Sequence, residues 1–263
     1  MSQIARDLPI PLEIVREWVV EAGRMALEHR ETIQAVLKVD DTPVTLVDKA
    51  IEAYLVERIM ARCPDHTIIG EEEVTHRGSS PYAWVIDPLD GTRAYASGLP
   101  VWGISVGLLA GNEPVAGIFS MPAIGELYWA DPQGAWRNGQ PLERARTVSL
   151  DDPLAYLLVP SNAHLVYEIS FPRVRSLGST AAHLLYVARS TAIGALTRRV
   201  YLWDVVGVLP ILNRCGIALA HLSGAPLDMG ALLANLRLRE PLLAARPEHL
   251  DSVRAMIRRK AAL

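Results

Sequence analysis

Sulfur chemistry is nearly absent from this sequence. Its 263 residues include two cysteines, Cys63 and Cys215, far apart and in no metal-ligand spacing. A disulfide-rich framework and a thiolate metal site are excluded, and both thiols are expected to be free and buried or semi-buried in a reducing compartment. Long apolar runs are missing too. Stretches such as Val101 to Ala110 contain glycine and fall well short of the roughly 20 residues that a membrane helix needs. Met1 to Asp7 lacks the apolar core of a secretory leader, so a cytoplasmic protein with no membrane contact is expected. Charge of one sign is also lacking: 26 Lys and Arg face 29 Asp and Glu, a net charge of -3. That balance gives no footing for binding nucleic acid or an anionic membrane. No internal repeat and no low-complexity segment is present.

What the chain does have is ample core material. Half of its residues are hydrophobic and 21% are charged, enough for one large unit or two smaller ones. Leu12, Val15, Val19, Ala22 and Ala26 fall at helical spacing within Pro9 to Arg30. Lys38 to Thr45 has no period and reads as a polar loop or hairpin. A second helix is expected from about Asp48, with Thr45 or Asp48 as its cap, ending at Cys63-Pro64. Thr67 to Ile69 and Trp84 to Ile86 read as short strands. Val101 to Ala110, Pro114 to Ser120 and Leu127 to Ala130 read as an antiparallel meander, followed by an Asn138-Gly139 turn. Glu143 to Pro153 is polar and divides the chain into units 1–145 and 146–263. The second unit alternates: strands at Leu154 to Val159, Arg199 to Leu202 and Ile217 to Leu222, and helices at Ser179 to Arg189, Val205 to Arg214 and Asp251 to Lys260. Pro210 predicts a kink or an early end. The fold class is α/β (α+β), with two sheet layers and helices between and outside them.

Acids mark the ends of these elements. Trp84-Val85-Ile86 runs into Asp87-Pro88-Leu89-Asp90-Gly91-Thr92-Arg93, which holds two carboxylates close together with a hydroxyl two residues on. Asp48, the run Glu71 to Glu73 and Asp204 are three further cases. Taken singly they are helix caps or solvated charge, as acids near helix starts usually are. Converging from different elements, they form the oxygen-rich donor set that hard divalent cations such as Mg²⁺ require.

These segments resemble the inositol monophosphatase family of Mg²⁺-dependent, lithium-sensitive phosphatases. Asp41-Thr42-Pro43-Val44-Thr45 through Asp48 is similar to the family's first loop, and Ile69-Gly70-Glu71-Glu72 to its G-E-E motif. Trp84 to Thr92 matches W-x-x-D-P-[IL]-D-G-T, and Trp203-Asp204-Val205-Val206-Gly207 resembles W-D-x-x-[AG]-[AG]. The likeness runs from about residue 12 to about residue 230. It implies a layered α-β-α-β-α sandwich, a homodimer and two or three Mg²⁺ ions per site. Glu71, Asp87 and the Leu89 carbonyl would hold one ion. Asp87, Asp90 and Asp204 would hold a second, and a weaker third would lie near Glu71. Asp48 and Thr92, with Glu71, would activate water for in-line attack on phosphorus, without a covalent enzyme intermediate. Gly91 and Thr92 would bind phosphate oxygens. Arg93, Gly178, Ser179, Thr180 and Thr197 would lie on the substrate side.

The resemblance implies hydrolysis of a small phosphorylated polyol or sugar, with inositol 1-phosphate the default. Three departures bear on this. The loop after Glu143 is short for the family, which implies an open pocket. Thr197 stands where inositol-specific members carry a glutamate. Pro210 and Asn213 to Gly216 depart from the usual E-A-G-G. Arg93 points to other substrates, because D-G-T-R followed by an aromatic, here Tyr95, is similar to histidinol-phosphate phosphatases. The alternatives are therefore histidinol phosphate, adenosine 3′,5′-bisphosphate and fructose 1,6-bisphosphate. A non-catalytic metal-binding regulator is a further alternative, although every metal and water-activating position is filled. His164 and His183 are read as surface or half-buried histidines. Trp102, Trp129 and Trp136 are read as packing residues.

Overall fold

The computed structural model describes residues 8–30, 35–37, 43–72 and 75–260. Met1 to Asp7, Asp41 and Thr42 of the first motif, and Glu73 lie outside the described residues. The first helix is Leu12–Glu28, with Val15, Val19, Ala22 and Ala26 buried as their spacing predicts. The second, Leu46–Arg62, starts at Thr45 in a capping box with Asp48. Of the expected loop or hairpin at Lys38 to Thr45, residues 38–42 lie outside the described residues. Ala35–Leu37 and Pro43–Thr45 pair antiparallel on either side of them.

Both helices cover one face of an eight-stranded sheet. Its spatial order is Gln140–Pro141, Gly134–Arg137, Glu126–Asp131, Glu113–Met121, Gly103–Ala110, Tyr82–Asp90, Thr67–Gly70, Thr75–His76. All neighbours are antiparallel except Thr67–Gly70, which runs parallel to Tyr82–Asp90. The two-residue period sorts the strand residues. Trp84 and Ile86 pack under the outer helices, whereas Val85 faces the other way. On that inner face lie the helices Thr180–Ala188, Leu202–Val206 and Leu209–Cys215. Beyond them is a five-stranded sheet, in the order Val174–Arg175, Leu157–Leu158, Gly194–Leu196, Leu242–Ala245, Ala218–His221. The helix Leu250–Ala255 closes its far face through Val253. The layers are therefore α-β-α-β-α. The proposed division after residue 145 falls in an irregular stretch, and the middle core joins residues from both sides of it. Among the described residues no helix is long and apolar enough to cross a membrane.

Four expectations are corrected. The strand at Trp84 to Ile86 does not stop at Asp87; it spans Tyr82–Asp90. Arg199 to Leu202 is not a strand, because Arg199 has φ +55° and Leu202 begins a helix. The strand of that region is Gly194–Leu196. Val205 to Arg214 is two helices, broken at Gly207. Pro210 sits in the first turn of the second, where its missing N–H is not needed. The terminal helix ends at Ala255, and Ile257–Arg259 pairs instead with Tyr167–Ile169, burying Ile257.

One contact fixes how the layers meet. Gly107 and Gly117 are register partners on the inner face of the large sheet. Onto them the chain at Val206 and Gly207 packs backbone against backbone. A Cβ at Gly117 would lie 2.1 Å from the Gly207 carbonyl oxygen, and one at Gly107 would lie 2.6 Å from Val206 Cγ1. Gly117→Ala is expected to lower unfolding free energy by about 2–3 kcal/mol, read by urea titration, because backbone and not a yielding side chain blocks the methyl. An unchanged urea midpoint would contradict this packing.

Candidate active site

Asp87 opposes Ser105 across the strand pair and Asp90 opposes Gly103, so three steps on one strand match two on its neighbour. This is a β-bulge, and it accommodates Pro88, which has no N–H for the ladder. The bulge keeps both acids in the strand, where Asp87 is 1% and Asp90 5% exposed. Leu89 N–H donates to Asp87 Oδ1 at 2.9 Å. Gly91, with φ +92°, then turns the chain into the short helix Thr92–Ala96. Its position is tight, since a Cβ there would lie 3.0 Å from the Gly178 carbonyl oxygen.

Other elements bring their acids to the same place. Asp204 reaches it from the first turn of Leu202–Val206, with Tyr201 N–H donating to Oδ2 at 2.6 Å. Asp87, Asp90 and Asp204 each offer a carboxylate oxygen, and these lie within 4.8 Å of one another. Glu71 follows the parallel neighbour strand, and its N–H donates to Ile86 O at 3.2 Å. Asp48 is 1% exposed. Its Oδ2 accepts from Thr45 N–H at 2.8 Å, and its Oδ1 faces Thr92 Oγ1 at 3.3 Å. The same Thr92 hydroxyl lies 3.1 Å from the Leu89 carbonyl oxygen.

Asp90 is the best supported acid. Ser179 Oγ donates to it, as do Thr180 N–H at 3.1 Å and Ala181 N–H at 2.8 Å, the first amides of Thr180–Ala188. Ser179 is thus both the N-cap of that helix and a tie across to the signature strand. Gly178, Ser179, Thr180 and Thr197 line one cavity of about 120 Å³. Thr197 Oγ1 donates to Leu242 O at 3.2 Å. Arg93 is exposed on the short helix. Tyr95 is fully buried and donates to Ala26 O at 2.7 Å, so it anchors the outer helix and does not face the cavity. Trp129 and Trp136 stack at 5.9 Å, and Cys63 and Cys215 are free and buried.

Glu52 was not singled out from the sequence. It is 2% exposed and accepts Glu72 N–H at 2.9 Å, and a Cβ at Gly70 would lie 2.3 Å from its Oε2. It clamps the turn that carries Glu71. The available signal was its place one helical turn after Asp48.

The electrostatics are one-sided. Burial, then Glu71, Asp90 and Asp204 in that order, push the Asp87 carboxyl well above its ordinary range. Asp204 is pushed well up by burial and by Asp90, partly offset by Tyr201 N–H. Burial raises Asp90 against the opposing pull of its three donors. Among the described residues no lysine, arginine or histidine pairs with these three acids. Two carboxylate charges 4.8 Å apart repel by about 3 kcal/mol at an effective dielectric of about 20. An all-oxygen donor set with uncompensated negative charge fits a hard divalent cation.

A family model described as "Inositol monophosphatase family" matches residues 12–251. The histidinol-phosphatase of Chlorobaculum parvum is 34% identical over 80% of this chain and 83% of its own length. The inositol-1-monophosphatase of Synechocystis is 32% identical over 92% of this chain and 91% of its own. Among solved structures, the inositol monophosphatase of Anabaena covers 93% of this chain and 94% of its own, with a TM-score of 0.74 and 27% identity.

The raised carboxyls set a pH dependence. An acid whose pKa is raised on folding holds its proton more tightly folded than unfolded. Its contribution is present at low pH and is lost as pH rises through the raised value. Without divalent cation, wild type is therefore expected to lose stability relative to Asp87→Asn as pH climbs above about 4, the ordinary carboxylate value. Thermal melting of both proteins in chelator, at stepped pH, checks this; a constant difference would contradict it. Added cation should narrow the gap from the wild-type side.

Proposed function

The chain belongs to the inositol monophosphatase family and is a phosphatase, and on that premise we propose that it is a Mg²⁺-dependent phosphomonoesterase for a small phosphorylated polyol or sugar, with inositol 1-phosphate as reference substrate. The observation that carries this reading is the gathering of Asp87, Asp90 and Asp204 from two separate segments, the first two buried and the third half-buried, with no cationic side chain paired to them among the described residues. These three, with Glu71 and the Leu89 carbonyl, would hold Mg²⁺. When bound, the cations would supply Lewis-acid stabilisation of charge on the phosphoryl and leaving oxygens. A homodimer and lithium inhibition belong to the proposal through the family resemblance alone.

The chain's own groups then divide the remaining work. Thr92 directs its hydroxyl proton toward Asp48 and Leu89 O, which leaves its lone pairs to accept a proton from the attacking water. Asp48, held from behind by Thr45 N–H, fixes Thr92 in that orientation and receives proton density through it. The Gly91 and Thr92 amides, at a left-handed turn, suit phosphate oxygens. A second reading takes histidinol phosphate as substrate. It is supported by Arg93 and by the similarity to the histidinol-phosphatase of Chlorobaculum parvum.

Asp90→Asn and Asp204→Asn are each expected to lower phosphate release by about a thousandfold or more, with far-UV circular dichroism unchanged. Wild-type activity in either variant would sink the assignment. Thr92→Ala should cut turnover about a hundredfold while calorimetric titration still finds the tightest Mg²⁺ site. A panel of inositol 1-phosphate, histidinol phosphate, fructose 1,6-bisphosphate and adenosine 3′,5′-bisphosphate at saturating Mg²⁺ separates the substrate readings by kcat/KM.

A further inference from the structure

His183 is the one buried histidine on the substrate side whose two ring nitrogens have different surroundings. It lies on Thr180–Ala188, one turn past the amides that hold Asp90, and is 4% exposed. Leu177 N–H donates to its Nε2 at 2.9 Å. An imidazole nitrogen that accepts an amide proton carries none of its own, so the ring proton sits on Nδ1. Burial agrees with a neutral ring, lowering its pKa to about 4. Nδ1–H has no acceptor among the described residues, and the atom is not fully enclosed. His183 lines the same cavity of about 120 Å³ as Ser179, Thr180 and Thr197. Thr197 complements it. Its hydroxyl proton is given to Leu242 O, which leaves its oxygen as an acceptor.

We propose that His183 is a specificity-determining residue whose Nδ1–H donates to a hydroxyl oxygen of the substrate's alcohol portion, with Thr197 Oγ1 accepting that hydroxyl's proton. The inference rests on the phosphatase reading and narrows it. A neutral donor and a neutral acceptor suit a polyol, which offers both functions at one oxygen. Histidinol's ammonium group has no lone pair for Nδ1–H, and its imidazole offers acceptor and donor on separate nitrogens and not at one atom, so the subsite favours polyol phosphates over histidinol phosphate.

Two amide replacements separate recognition from loop support. His183→Gln can keep an acceptor near the Nε2 position for Leu177 N–H but has no donor near Nδ1. His183→Asn can keep a donor near Nδ1 but does not reach Leu177. The substrates are inositol 1-phosphate, its hydroxyl-free counterpart cyclohexyl phosphate, and histidinol phosphate, each assayed with saturating Mg²⁺. Loss of one buried hydrogen bond is expected to raise KM for inositol 1-phosphate about tenfold in His183→Gln, with kcat and the cyclohexyl phosphate KM within twofold of wild type. His183→Asn should retain the wild-type preference for inositol 1-phosphate over cyclohexyl phosphate. The proposal is overturned if His183→Gln behaves as wild type, if both substrates weaken together, or if wild type prefers histidinol phosphate. Mg²⁺-dependent release that is equal from inositol and cyclohexyl phosphates sinks the subsite and leaves the phosphatase reading standing. No release from any ester overturns the reading beneath it.

Discussion

Like-charge repulsion governs this molecule. Asp87, Asp90 and Asp204 are brought within 4.8 Å by elements far apart in sequence; the first two are taken almost wholly out of water and Asp204 is half-buried beside them. Nothing cationic in the described chain answers them. A chain selected for stability alone would place apolar residues there, because buried charge that is not paired is expensive. The surrounding fold is arranged to hold the acids together all the same.

It does so with backbone amides. Leu89 N–H holds Asp87, Thr180 and Ala181 N–H hold Asp90, Tyr201 N–H holds Asp204, and Thr45 N–H holds Asp48. One step behind, Glu52 holds the Glu72 amide beside Glu71. Amides supply partial positive charge without the long, mobile side chain that a lysine would bring into the space meant for an ion. They also fix the orientation of each carboxylate, Asp90 through both of its oxygens. The site is thereby shaped before any ligand arrives, which limits the reorganisation needed during the reaction.

Much of this was legible in the sequence. The helical spacing of Val15, Val19, Ala22 and Ala26, the Thr45 cap and the Asn138-Gly139 turn all act through local geometry, and local geometry is what periodicity and turn chemistry encode. The acids were legible because their motifs are long. What was hidden depends on partners distant in the chain. The bulge at Asp87 to Asp90 exists only against Ser105 and Gly103. Leu242–Ala245 is only leucine and alanine, with no β-branched or aromatic residue to favour a strand, yet it sits inside the second sheet. Ile257–Arg259 abandons helix for strand because Tyr167–Ile169 is there to pair with it. Ser179 looked like a substrate contact, and its bond to Asp90 appears only once the two units are packed together.

The seat of Gly107, Gly117 and Gly207 has a consequence for how such a protein can evolve. Backbone lies on backbone there, so the element carrying Asp204 has no freedom to drift as neighbouring residues change. The cavity beside the acids is built differently, largely from loop and helix-start positions at residues 160–161, 176, 178–180, 183 and 196–198. A change at Thr197 would therefore alter that cavity without moving the seat that carries Asp204.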